Sequence, residues 1–299
     1  LDAISHLPEQ LEATELAIDL HFDIRTALIP LADWERMRDH LRIAETLAAR
    51  LGDQRRLGRV SIYMVIQAIT AQEYREGLRF GREALSIGEK LGDLSIEAPA
   101  NAYLGLAHLL RGELLEALVC LERNVARLTG DLRFERFGQA TMMASFSRSI
   151  LSLALVELGR FDEAIARAEE AAQIAEEAGQ HRYSLSFAWH ALGWAHASRG
   201  DLTRGAAVLA RCVELCRASE FHVLMPVAGM SLACVLGQQG HASETLALAE
   251  QGKGLRTVRR FWAERTLVLL GTAHLAGDQA DVADACAREA LDASRRHGA

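Results

Sequence analysis

The sequence predicts an all-α fold: about seven helical hairpins stacked into a solenoid, with a repeat near 40 residues. Three observations predict it. First, one pentapeptide, L-G-x-A-H, is written three times: Leu104–His108, Leu192–His196 and Leu270–His274. Each copy is followed within a few residues by a glycine (Gly112, Gly200, Gly277), so one supersecondary unit is copied along the chain. Second, turn markers at Ala32, Gln72, Gly112, Gly159, Gly200, Gly240 and Gly277 are spaced by 40, 40, 47, 41, 40 and 37 residues. Third, the chain holds only 4 prolines in 299 residues, and its long Ala/Leu/Glu/Arg stretches favour helix throughout.

The elements follow in order. The chain opens at Leu1, and Leu1–Leu7 reads as the tail of a helix stopped before Pro8. We therefore expect either a fragment of a longer polypeptide or an artificially trimmed chain. A second series of turns, Leu51-Gly52-Asp53, Leu91-Gly92-Asp93 and Thr129-Gly130-Asp131, interleaves with the first. The two series bound hairpins at about 9–52, 53–92, 93–130, 131–179, 180–219, 220–254 and 255–297. The hairpin after Asp131 is longer, and Leu132–Gln139 is its expected irregular insertion. In Phe161–Ala178 the apolar residues Phe161, Ala164, Ile165, Ala168, Ala171, Ala172 and Ala175 recur at i, i+3, i+4, i+7, the stripe of an amphipathic helix. Asp131 and Asp201 read as N-caps, and the turn glycines supply the left-handed residue that ends each first helix. Gly105, Gly193 and Gly271 fall inside first helices, where close approach of the paired helix offsets their cost. No single hairpin buries its apolar face alone, so stacked neighbours make the core. We expect one domain over 1–299.

Composition narrows the function. Half the residues are apolar, and the net charge of −7 sets up no field for nucleic acid or an anionic membrane. Ser149–Leu158, the richest apolar stretch, is broken by Glu157 and is far short of the roughly 20 residues a membrane span needs. No signal peptide is evident. Five cysteines in helical, apolar contexts read as reduced core residues, which places the chain in the cytoplasm.

Several motifs resemble the tetratricopeptide (TPR) repeat. Leu192, Gly193, His196, Gly200 and Leu202 carry it in one hairpin, with Trp189 ahead of them; Leu104, Gly105, His108, Gly112, Leu114, Ala117 and Leu121 carry it in another. Gly159, Phe161 and Ala164 carry its turn in a third. Gln72 replaces the turn glycine in an early hairpin, where Tyr74 keeps the aromatic; Ala242 and Gln279 replace the aromatic in the last two. The resemblance implies a right-handed superhelix with helices about a turn longer than the standard repeat. The runs Ala17–Leu31, His40-Leu41-Arg42, Ala44-Glu45 and Leu51–Ser61 are similar to the C-terminal repeat region of large bacterial signalling proteins. Those join a class III adenylate/guanylate cyclase domain to an ATPase domain and then to such repeats. This implies that the partners include upstream domains of the same polypeptide.

Catalytic motifs are missing. Gly252-Lys253 is followed by Gly254, with Ala247 where a P-loop needs its first glycine. No H-E-x-x-H or G-x-S-x-G occurs. Cys212 and Cys216 share a helix face near His222, but both fall where the repeat wants small packing residues. His108, His196 and His274 are whole hairpins apart, too far to share an ion, and are expected to pack and bond locally. Lys253–Arg265 mixes arginines with Phe261 and Trp262, a pattern that stacks bases but also anchors a repeat helix on its neighbour. No catalytic residue, cofactor or metal is expected.

What remains is the groove. By alignment to the pentapeptides, the TPR resemblance places Arg59, Tyr63, Tyr103, Phe146, Ser149, His190, Trp194, Met230 and Arg265 on first helices facing a concave surface. Aromatics, Met and Arg are what interfaces enrich. The same residues serve equally to pack one hairpin on the next. The expected function is a non-catalytic, regulatory protein-interaction scaffold with a protein or peptide in the groove, in an ATP-dependent, cyclase-linked signalling protein. The alternatives are an inducer-sensing module of a large ATP-dependent transcription activator, or a homo-oligomerisation scaffold.

Overall fold

The computed structural model describes residues 11–28, 33–253 and 263–297, which form fourteen α-helices, one 3₁₀ turn and no strand. The expected helix tail at Leu1–Leu7 and the marker at Ala32 lie outside the described residues, as does most of the basic stretch Lys253–Arg265. No described helix is long and apolar enough to cross a membrane. The helices are α1 (Leu11–Leu28), α2 (Trp34–Leu51), α3 (Gln54–Thr70), α4 (Tyr74–Leu91), α5 (Leu94–Leu110), α6 (Leu114–Arg127) and α7 (Met143–Glu157). They continue with α8 (Phe161–Glu177), α9 (Arg182–Arg199), α10 (Leu202–Ala218), α11 (Met225–Gln238), α12 (Ala242–Lys253), α13 (Ala263–Ala276) and α14 (Ala280–His297). The chain forms two compact units, residues 1–104 and 105–299.

In the first unit α1 pairs with α2 and α3 with α4. In the second, α7 pairs with α8, α9 with α10, α11 with α12 and α13 with α14; first helices also touch, α7 against α9 and α11 against α13. Each second helix lends one stripe to the core. On α8 that stripe is Ala164, Ile165, Ala168, Ala171, Ala172 and Ala175, with Ile174 joining it. The alanines let helices approach, and each buried Ile contributes about 1.5–3 kcal/mol.

The turns obey one rule with two kinds of residue. Gly112, Gly159, Gly200 and Gly240 sit at φ between 73° and 104°, the left-handed region that glycine enters without a Cβ penalty. Gln72 takes φ 62° at the equivalent turn and carries that strain without glycine. At the last turn the structure corrects the sequence reading. Asp278, at φ 57°, is the left-handed residue, while Gly277 instead lies close to Leu246, whose Cδ2 would be 3.0 Å from an added Cβ. A second correction concerns Asp131, which lies inside the 3₁₀ turn Gly130–Phe134 and caps no α-helix. That turn and the irregular backbone up to Met142 form the insertion expected around Leu132–Gln139.

Asp201 does cap α10: its carboxylate accepts the Arg204 N–H at 3.1 Å. Asp53 does the same for α3, accepting from Arg56 at 3.0 Å. Asp201→Ala is expected to lower stability by about 1 kcal/mol, because one N–H at the helix start loses its acceptor. Chemical denaturation of the variant checks this.

The pentapeptide histidines reach across the turn that follows them. His108 Nδ1 lies 2.6 Å from Glu113 Oε2, and His274 Nδ1 lies 2.7 Å from Gln279 Oε1. The partner is five residues on in both cases. In the third copy that position is Asp201, a methylene shorter and occupied as an N-cap. Neither ring nitrogen of His196 has a partner among the described residues, and burial lowers its pKa.

Candidate functional site

In the first unit the first helices α1 and α3 carry a charged and aromatic surface. Arg59 is partly exposed; its guanidinium stands 4.6 Å from the Phe22 ring centre, and it pairs with Asp19 at 3.7 Å. Arg56 is saturated, bonding Asp19 at 2.8 Å and Asp53 at 2.7 Å, which raises its pKa further. Tyr63 is buried, edge-on to Phe22 at 5.3 Å. Tyr103 on α5 is buried too, and burial raises the pKa of its hydroxyl.

Sequence reasoning missed Arg25. It lies on the buried face of α1 with Ile18, His21, Phe22 and Leu28, and its guanidinium sits 4.2 Å from the Tyr63 ring centre. The signal was available: a charge at the i+7 position of an otherwise apolar stripe starting at Ile18.

In the second unit, four first helices contribute. Arg265 on α13 stands over Trp194 on α9, 5.1 Å from the ring centre, and its Nη1 donates to Glu157 Oε1 on α7 at 2.8 Å. One side chain thus ties together helices 108 residues apart in sequence. Beside it opens a cavity of about 270 Å³ lined by Leu109, Leu110, Gly112, Leu114, Glu157, Glu264 and Arg265. The Trp194 indole Nε1–H is shielded from solvent and has no acceptor among the described residues.

Beneath this surface lies a packed layer. His190 is fully buried, with Nε2 3.1 Å from Ser231 Oγ on α11. Burial, aided by the positive charge of Arg265, pushes its pKa down to about 3, so the ring is neutral. Met230 is buried next to Ser231 in sequence, and Phe146 meets Phe187 edge-on at 5.0 Å. Ser149 is buried and donates to the Ser145 carbonyl at 2.9 Å, so it is committed to its own helix.

Of the nine expected groove residues, then, Arg59, Trp194 and Arg265 keep part of their side chains open to solvent. Tyr63, Tyr103, Phe146, Ser149, His190 and Met230 lie buried and act as the support below. Trp194, His190 and Arg265 come together; Glu157 and Ser231, which complete that group, carry no signal in sequence because their partners are on other hairpins. Cys212 and Cys216 are both buried against this layer, Cys212 donating to the Ser186 carbonyl at 3.2 Å, and the hydrogen bond with Cys216, together with burial, pushes the Cys212 thiol up. Among the described residues no group of three His, Cys, Asp or Glu side chains is placed to hold a metal ion.

No protein-family model matches the chain, and no curated protein matches it in sequence. Solved structures do match, and they make the fold an all-α, TPR-like solenoid. A Rap protein complexed with competence and sporulation factor superposes with a TM-score of 0.71 at 9% identity, over 99% of this chain and 90% of that one. The apo form of RapI gives 0.65 at 12% identity, over 94% of this chain and 98% of that one. A signal transduction ATPase with numerous domains and a tetratricopeptide repeat sensor, from Pyrococcus horikoshii, gives 0.54 at 10% identity, over 92% of this chain and 42% of that one.

Proposed function

We propose that residues 1–299 act as one non-catalytic binding domain, whose peptide or protein ligand is held against the first helices of the second unit. The observation that carries this is Arg265 reaching over Trp194 to Glu157. Glu157 is partly exposed, so the ion pair is worth about 1 kcal/mol or less and yields readily to a carboxylate on an incoming chain. The part of the Trp194 ring left open to solvent supplies an apolar contact. The buried His190–Ser231 layer holds both side chains in place. A solved Rap protein of the same fold is complexed with competence and sporulation factor, which supports ligand capture by such an array.

The test is selection of a displayed random-peptide library on the full chain. We expect enriched peptides whose affinity falls about tenfold, roughly 1.4 kcal/mol, in Trp194→Ala and again in Arg265→Ala, with melting temperatures near the parent value. Enriched peptides that bind both variants as tightly as the parent would overturn the site. Arg59→Glu tests the first unit in the same assay.

We further infer that the array regulates a larger ATP-dependent signalling polypeptide that is cyclase-linked. The similarity of Ala17–Leu31 and Leu51–Ser61 to the repeats of cyclase–ATPase proteins supports this, as does the ATPase with a repeat sensor among the matching folds. A ligand bound across α7, α9 and α13 would select one arrangement of those hairpins and bias domains attached to them. Reading the coding sequence upstream of Leu1 decides the point. ATPase and cyclase domains there support the inference, while a DNA-binding helix-turn-helix in the same gene moves it to a transcription activator.

Self-association is favoured by one separate observation. Val268, Leu275 and Leu291 on α13 and α14 are exposed beside an apolar groove of about 700 Å³. Light scattering at two concentrations separates an oligomer from a monomeric binder.

A further inference from the structure

The guanidinium of Arg25, among the described residues of the first unit, is a charged group whose environment asks for something more. The side chain is 4% exposed. Its Nε is sealed from solvent and has no acceptor, and among the described residues no carboxylate lies within ion-pair distance of it. The carboxylates of the neighbouring surface are already committed: Asp19 to Arg56 and Arg59, Asp53 and Glu15 to Arg56. The contacts that Arg25 does have are aromatic. Its guanidinium lies over the Tyr63 ring at 4.2 Å, with Tyr103 close enough to act on its charge. A cation–π contact offsets only part of what is lost when a guanidinium leaves water, and it satisfies none of the five N–H donors.

We propose that Arg25, seated on Tyr63, is a binding site for one carboxylate carried on an apolar body. The geometry favours a carboxylate over a phosphate by charge count. One free cation balances one negative charge, whereas a phosphate monoester carries close to two, and Arg56 and Arg59 are already neutralised by Asp19, Asp53 and Glu15. A planar guanidinium also pairs with a carboxylate through two parallel N–H···O bonds. Only Nε is fully sealed and unpaired, so the terminal nitrogens keep the small remaining exposure through which a ligand oxygen arrives. The guanidinium is bordered by Tyr63 and Tyr103, 3% and 8% exposed, so the rim that the group behind the carboxylate meets is aromatic rather than charged. A small organic acid and the C-terminal residue of a peptide share this chemistry. The site lies wholly within residues 1–104 and stands or falls independently of the Trp194–Arg265 surface.

The test uses the full chain and three probes: phenylacetate, an N-acetylated tripeptide ending in phenylalanine, and inorganic phosphate. The tripeptide is measured as the free acid and as its amide. Calorimetry and thermal melting follow each, with Arg25→Met and Arg25→Lys as variants. We expect saturable binding of the free acid, at least tenfold weaker binding of the amide, and loss of binding in Arg25→Met. Arg25→Lys, which keeps the charge but not the fork, is expected to bind at an intermediate level. We also expect ligand-free Arg25→Met to melt no lower than the parent, because it removes an unpaired buried charge at nearly constant volume. Phenylacetate binding as tightly as the tripeptide assigns the site to small acids; tripeptide alone assigns it to a peptide C-terminus. Phosphate binding as tightly as either, no saturable carboxylate binding up to about 10 mM, or an Arg25→Met chain that unfolds or melts well below the parent would each overturn the proposal.

Discussion

Replacing Gly193 with valine is expected to lower the stability of the chain by about 2–3 kcal/mol, the usual cost of forcing carbon into a packed helix crossing. A Cβ at Gly193 would lie 2.8 Å from Leu209 Cγ, 3.0 Å from the Leu209 nitrogen and 3.1 Å from the Gly205 carbonyl oxygen. The Leu209 side chain can turn away, but the backbone atoms move only if α10 moves. Gly205 faces the same constraint from the other side, since its added Cβ would meet the Ala197 nitrogen at 2.9 Å. The crossing of α9 and α10 is therefore glycine against glycine. Gly229→Ala in α11 is the control. Nothing lies within 4 Å of its added Cβ, so better helix propensity should raise stability by up to about 1 kcal/mol. Urea denaturation of both variants reads the contrast. A Gly193→Val chain as stable as the parent would mean that α9 and α10 do not meet at this point.

Acid should weaken the chain through His190, and the sign follows from linkage. Burial holds the folded ring neutral down to about pH 3, against an ordinary value of 6.5. Below 6.5 the unfolded chain takes up a proton that the folded chain refuses, so stability falls with pH. The contribution is present in full above pH 6.5 and is lost as the pH falls toward 3. At pH 5 the loss relative to pH 7.5 is about 2 kcal/mol for this one group. His21, His181 and His196 also titrate low through burial; their contributions cancel between parent and variant. His190→Gln should therefore show a pH profile flatter by about 2 kcal/mol between 7.5 and 5. Parallel profiles would mean that the ring is not held neutral. Because His190 bonds Ser231 under Trp194 and Arg265, the same protonation would loosen the floor of the proposed ligand surface.

The repeat was legible because it is a local property. L-G-x-A-H, the turn glycines and the i, i+3, i+4 stripes concern residues within one hairpin, and a hairpin's own residues dictate where its chain turns. Where the copies diverge, the structure still shows why. His108 and His274 find Glu113 and Gln279 five residues on, and His196 finds only an aspartate engaged as a cap. The glycine at position 277 misled for the opposite reason: a contact with Leu246 from the neighbouring hairpin explains it, and the turn conformation falls to Asp278.

The candidate site was legible only in outline. Alignment to the pentapeptide selected first-helix positions, but whether a first-helix residue is open or covered depends on the next hairpin. That is why His190 and Phe146 are floor while Trp194 is surface. Amino-acid order by itself determined the helices, their turns and the pairing of neighbours, since backbone propensity and apolar period act over a few residues. Tertiary structure alone decided that Arg265 meets Glu157 across 108 residues and that Arg25 is buried with no carboxylate partner among the described residues. Charge pairing and desolvation depend on distance in space, and no pattern along the chain encodes that distance.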